Sequence, residues 1–161
     1  MAAGEASNEY ELKAAFLYKF ASFVSWPGSK PAGPLCIGVV GEDPFGAALD
    51  EVVKGKTING RIFEIHRFRT GQEPIQCQIL FISESERKRL GSVLDRTRTY
   101  STLTVGDMPG FCENGGMIRL RLQDNYVRMD INQEAAEKAG LQLSSKLLNL
   151  ARIVRPAPNG K

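Results

Sequence analysis

The sequence predicts an α/β fold: a mostly parallel sheet flanked by helices, in a Rossmann-like, flavodoxin-like order, with an antiparallel hairpin at one edge. Three observations carry this. Short apolar strand-like runs alternate with helical segments through the first two-thirds of the chain, which calls for right-handed crossovers onto a parallel sheet. Two of those runs, LCIGVV and QCQILFIS, hold a cysteine at the second position, as neighbours in one sheet would. Near the end, MIRLRLQ and YVRMDIN flank a two-residue Asp124-Asn125 loop, a hairpin signal.

The elements follow in order. Asn8 can cap a first helix, EYELKAAFLYKFASFVSW, in which Leu12, Phe16, Phe20 and Phe23 recur at helical spacing. Pro27 ends it. Phe16, Phe20 and Phe23 are assigned to the core; Tyr18 and Trp26 are left open between core and partner surface. After the linker PGSKPAGP, LCIGVV is the first strand. A helix from about Pro44 to Val53 follows, with Asp43 placed to cap it. KGKTINGR reads as a turn, RIFEIHRF as the second strand, TGQEPIQ as a loop and CQILFIS as the third strand. Ser83 or Ser85 can cap a helix running to about Arg96. STLTV is the fourth strand, and the loop GDMPGFCENGG leads into the hairpin. Two helices close the chain, near Gln133–Ala139 and from Ser145 to about Val154, with PAPNGK as a tail. Residues 8–155 are expected to form one domain with flexible ends at 1–7 and 156–161, since 161 residues suffice for one core.

Composition excludes more than it assigns. A net charge of +3 is too small to argue for nucleic acid, and the Arg87-Lys88-Arg89 and Arg96/Arg98 clusters suit a solvated helix face. No apolar stretch is long enough to span a bilayer. The opening MAAGEASNEY lacks an apolar signal core, which fits a mature chain without its leader or a cytosolic start. Cys36 and Cys77 have two readings. On adjacent parallel strands their Cα atoms lie roughly 4.8 Å apart, within reach of a disulfide and so of an oxidising compartment. They are also readable as two small buried core residues, the reading that sequence alone favours before the matched strand positions are considered. Cys112, in the glycine-rich loop, has no evident mate and is read as a free thiol.

No catalytic constellation, metal set or cofactor motif survives inspection. GKT at Gly55–Thr57 has Asp50 where a phosphate loop needs glycine, and it follows a helix. GVVGEDPFG lacks dinucleotide spacing. His66 is the lone histidine and lies inside a strand. A receiver domain would match the acidic Glu42-Asp43 pair after the first strand, but Ser83 stands where its phosphoacceptor carboxylate belongs. The default is therefore a binding or regulatory module, not an enzyme.

In the hairpin, the two-residue loop sets Gln123 opposite Tyr126, Arg121 opposite Arg128 and Arg119 opposite Asp130, with Leu122, Leu120 and Ile118 facing Val127, Met129 and Ile131. Two facing arginines are locally unfavourable, and the surplus positive charge suits either plain solvation or an acidic partner. Arg119, Arg121, Tyr126, Arg128, Asp130 and Trp26 are the partner-binding candidates. A competing reading is a small-ligand sensor using the crevice beyond the strand carboxyl ends, with Asp43, Phe45, Asp107 and Phe111 as candidates. A third is a degenerate cytosolic receiver, which a denatured thiol count of three rather than one would favour.

Taken together, KAAFLYKFASFVSWP, LCIGVVGEDPFGAALDEVVKGKTINGR, CQILFIS, LTVGDMPGFCENGGMI, VRMDIN and AGLQLSSKLLNLARIV resemble, in order, the YfiR family of bacterial periplasmic regulators, from about Glu11 to Arg155. The resemblance implies an exported protein whose leader peptide is absent from this sequence. It implies repression of a membrane-bound diguanylate cyclase through its periplasmic sensor region, lowering cyclic di-GMP and biofilm formation. It also implies a homodimer and a disulfide at Cys36 and Cys77, while composition and motifs lead us to expect no cofactor, no nucleic acid and no membrane insertion. Cys112 matches half of a second family bridge, but Arg119 stands in its mate's place.

Overall fold

The computed structural model describes residues 2–28, 33–69 and 76–156, with side chains from Asn8 onward. Parts of the linker, the TGQEPIQ loop and the tail lie outside the described residues. An eight-stranded sheet forms the centre. Its parallel strands are β2 (Leu35–Val40), β4 (Arg61–Phe68), β5 (Ile79–Ile82), β6 (Leu103–Gly106) and β7 (Ile118–Gln123). They lie in the spatial order β4-β2-β5-β6-β7, which is 2-1-3-4-5 in chain order, the flavodoxin-like arrangement. β8 (Tyr126–Ile131) returns antiparallel to β7 in the register Arg119↔Asp130, Arg121↔Arg128, Gln123↔Tyr126. Asp124 and Asn125 both adopt positive φ, as a type I′ turn requires.

Both sheet edges differ from expectation. A three-residue strand, β10 (Ala151–Ile153), pairs parallel with β8 and is the outermost strand on that side, where sequence reading carried a helix to Val154. The helix α5 (Ser145–Asn149) stops early because β8 otherwise leaves its outer backbone groups unpaired. On the far side, β3 (Thr57–Ile58) pairs with Arg61–Ile62 through Asn59-Gly60, both at positive φ. That Asn-Gly is the strongest hairpin dipeptide, and it makes the predicted turn the tip of a short hairpin.

α1 spans Ala2–Phe23, so Asn8 lies inside it rather than capping it. It ends three residues before Trp26, because β1 (Val24–Ser25) pairs with β9 (Gln142–Leu143). Phe20 is fully buried, and Phe16, Phe23, Tyr18 and Trp26 pack partly buried against the same core. α2 (Ala47–Val53) begins after Gly46, not at Pro44. Ser83 accepts from the Ser85 backbone N–H to cap a 3₁₀ turn, Glu84–Arg89, which leads into α3 (Leu90–Thr97). α4 (Gln133–Lys138) is capped by Asn132 and followed by Gly140 in the left-handed region.

Alternation along the strands builds two cores. Ile37, Val39, Ile79, Phe81, Leu103, Val105, Ile118, Leu120, Met129 and Ile131 face α1, α2, α4 and α5. Cys36, Val40, Leu80 and Ile82 face α3 on the opposite side. The α3 cluster includes no residue of β7, β8 or β10.

Candidate functional site

That asymmetry leaves the second face of β7, β8 and β10 to polar side chains. Arg119, Arg121 and Gln123 on β7, Tyr126, Arg128 and Asp130 on β8, and Arg152 on β10 share it, as the register and the alternation demand. Asp130 is buried at its centre. It accepts from Arg121 Nε at 3.2 Å to each oxygen, and from Arg152 Nε and Nη2 at 3.1 and 3.2 Å. Arg119 Nη1 lies 4.0 Å away. Burial alone would raise the Asp130 carboxyl, but the hydrogen bonds from Arg152 and Arg121, with their charges, outweigh it and hold it below its usual range. Arg128 is exposed, with its guanidinium 5.7 Å from the Tyr126 ring centroid; Tyr126 is 66% exposed.

The structure thus brings Arg119, Arg121, Tyr126, Arg128 and Asp130 together, but Asp130 is an internal counter-ion rather than a contact surface. Trp26 lies elsewhere, at the amino ends of the strands, its Nε1–H donating to the Gln78 carbonyl at 3.1 Å. Arg152 is the residue sequence reasoning missed. Its signal was the β-branched pair Ile153-Val154 beside an edge strand in need of a partner.

The strand carboxyl ends form a plug rather than an open crevice. Asp43 accepts from the Phe45 N–H at 2.9 Å, shaping the loop instead of capping α2, and from Arg67 Nε at 2.6 Å. Phe45 is buried between the Tyr10 ring at 5.5 Å and the Phe81 ring at 4.8 Å. Asp107 accepts from Tyr10 Oη at 2.7 Å and from Lys13 Nζ at 3.0 Å. Lys13 is only 2% exposed and also pairs with Glu9 one turn before it. Burial and the bond to Asp107 both push the Tyr10 hydroxyl far above its ordinary value. Phe111 is fully enclosed over Gly106 and Gly116. What remains open is a groove of about 650 Å³ outside the plug, lined by Tyr10, Pro44, Phe45, Ala48 and Val52. Lys13 was legible in principle: it lies four and seven places before Leu17 and Phe20, on the buried stripe.

Cys36 and Cys77 are joined, with Cα atoms 4.7 Å apart. The register sets Ile37 beside Ile79, so Cys36 is level with Gln78, and Cys77 lies just before β5 rather than within it. Cys112 is the free cysteine among the described residues. Its thiol lies 3.4 Å from the Asp130 carbonyl, and the Arg119 backbone N–H reaches it. Burial first, then the charges of Asp130 and Glu113, push the thiol up to about 12. No cluster of three or more metal-ligating side chains occurs among the described residues.

No curated protein matches the chain. Among solved structures, the fold resembles the ABC domain in complex with L-Trp from Streptococcus pneumonia, with a TM-score of 0.54 and 10% identity over 74% of this chain and 55% of that one. It also resembles a conserved domain protein from Vibrio cholerae O1 biovar El Tor, with a TM-score of 0.61 and 13% identity over 89% and 59%. The chain therefore spans less than two thirds of either neighbour, and at such identities the likeness speaks for the fold alone. No helix among the described residues is long and apolar enough to cross a membrane. The sequence profile of YfiR/HmsC-like proteins matches residues 10–152, and the chain belongs to that family.

Proposed function

We propose that this chain is a periplasmic regulator without catalytic activity of its own. It binds the periplasmic sensor region of a membrane-bound diguanylate cyclase and represses it, lowering cyclic di-GMP and biofilm formation. Family membership supports this reading, and the Cys36–Cys77 bridge fits an oxidising compartment. The observation that carries it is the sheet face that no helix covers among the described residues, where Arg119, Arg121 and Arg152 gather on one buried carboxylate and Arg128 stands beside them, opposite Arg121. Such a face offers surplus positive charge and an exposed aromatic anchor, Tyr126, to an acidic surface. Repression follows if the sensor region presents that acidic surface better in its inactive state, because binding shifts an equilibrium only through differential affinity.

The test is binding of the periplasmic part of a diguanylate cyclase to this protein and to its Arg128→Glu variant. Arg128 is the clean probe, since reversing Arg121 would also set two carboxylates against each other at Asp130. Affinity should fall about tenfold in Arg128→Glu and decline with added salt. Equal affinity for both proteins rejects this face as the interface.

A further inference from the structure

The groove outside the plug has an apolar floor. Tyr10 comes from α1, Pro44 and Phe45 from the loop after β2, and Ala48 and Val52 from α2. Its volume of about 650 Å³ lies in the range of small-molecule sites. The walls are fixed by the fold itself. The Tyr10 hydroxyl is held by Asp107 at 2.7 Å, and Lys13 Nζ lies 4.7 Å from the centre of the same ring. The Phe45 ring stands edge-on to Tyr10 and Phe81, and its backbone N–H is held by Asp43. Arg67 ties Asp43 to the Gly46 carbonyl and to Asp50 on α2. A site held this firmly loses little freedom when it is filled.

Charge selects the occupant. Glu11 on α1 and Glu51 on α2 both line the groove, and no lysine, arginine or histidine does so among the described residues. The other carboxylates among the described side chains of these two helices are paired within the chain, Glu9 with Lys13 and Asp50 with Arg67. Those of Glu11 and Glu51 make no hydrogen bond or ion pair with any described residue. Ala47 and Ala48, one turn before Glu51 and Val52, leave room for a ligand against the helix. An anion would meet two like charges here. A bare metal ion would find too few ligands, since no group of three or more His, Cys, Asp or Glu able to hold one occurs among the described residues.

We propose that this groove binds a small organic ammonium ion, its apolar body on Tyr10, Phe45, Ala48 and Val52 and its charged head at Glu11 and Glu51. The Tyr10 and Phe45 rings reinforce the choice, because aromatic faces attract cations. The groove lies on the α1 and α2 side of the sheet, and the arginine face lies on the other. The two sites share no residue and take opposite charges.

The test is a titration of the full chain, its bridge intact, with hexylammonium, hexanol and hexanoate, followed by backbone amide chemical shifts. Hexylammonium should bind with a dissociation constant of about 1 mM, and the shifts should centre on residues 10, 11 and 44–52. Hexanol has the same body without the charge and should bind about tenfold more weakly; hexanoate should not bind measurably. Glu11→Gln and Glu51→Gln should each weaken hexylammonium about threefold, the scale of exposed ion pairs. The double variant should bind hexylammonium and hexanol alike. Ala48→Trp should fill the groove and abolish binding, with unchanged shifts in the central strands reporting an intact fold. Arg128→Glu, on the opposite face, should leave hexylammonium affinity as it is. No binding of hexylammonium, equal binding of all three probes, shifts centred elsewhere, or a double variant that still prefers the ammonium overturns the proposal.

Discussion

Asp130 is nearly sealed from water and holds Arg121 and Arg152 by two hydrogen bonds each. Removing it leaves the guanidiniums facing one another over a void. Asp130→Ala should therefore cost about 1–3 kcal/mol, the worth of the charge-assisted hydrogen bonds lost, read as a lower urea midpoint. Because the folded carboxyl lies below its unfolded value, its contribution is present above an ordinary carboxylate pKa of about 4 and is lost as pH falls through the lower folded value. Asp130→Asn should flatten that acid limb of the stability profile, and an unchanged limb would assign the acid sensitivity to other carboxylates. Cys112 makes a second prediction at this scale. With its thiol pushed up to about 12 and fully buried, it should resist alkylation in the folded protein. Denaturation should expose one reactive thiol, and denaturation with reductant three. The facing of Arg119 and Asp130 was legible from the two-residue turn. The burial of Asp130 was not, because it depends on Arg152 arriving from a segment whose local pattern is helical.

Elements show why some boundaries were readable and others not. β2, β5 and β6 are apolar runs buried on both faces, and such runs announce themselves. The Ser83 cap and the Gly140 stop follow local chemistry, so sequence places them; the Asn132 cap follows the same chemistry but was not singled out in sequence. β1, β9 and β10 are two or three residues long and exist only through partners distant in sequence. Nothing local marks β1 and β9, and only the β-branched Ile153-Val154 hints at β10. Asp43 failed as a helix cap because Arg67, on β4, competes for its carboxylate and the loop runs on to Gly46. The loop between β6 and β7 is held instead by Phe111 seated on two glycines. A Cβ at Gly116 would lie 2.2 Å from the Phe111 ring. Gly116→Ala should thus displace Phe111 and cost about 3 kcal/mol, within the range of overpacking and of lost aromatic packing. Thermal unfolding will show it, and Gly116→Ala with Phe111→Leu should recover part of the loss.

At the scale of the molecule, the Cys36–Cys77 bridge closes a chain segment spanning a sequence separation of 41 and ties β2 to the start of β5, the two strands on which the parallel sheet is centred. Replacing both cysteines by serine should lower stability by about 2–5 kcal/mol, measured by urea unfolding under non-reducing conditions. Among the described residues α3 covers only part of one sheet face, and the remainder carries Arg119, Arg121, Arg128 and Arg152 around or beside Asp130. The parallel order and the hairpin register were legible in sequence, whereas the open face emerged only once α3 and the sheet were placed together. The most direct measurement is a calorimetric titration of the periplasmic region of a membrane-bound diguanylate cyclase into this protein and into Arg128→Glu, at low and high salt. The account predicts salt-sensitive binding that weakens about tenfold in the variant. Binding of equal strength in both proteins, indifferent to salt, would contradict it.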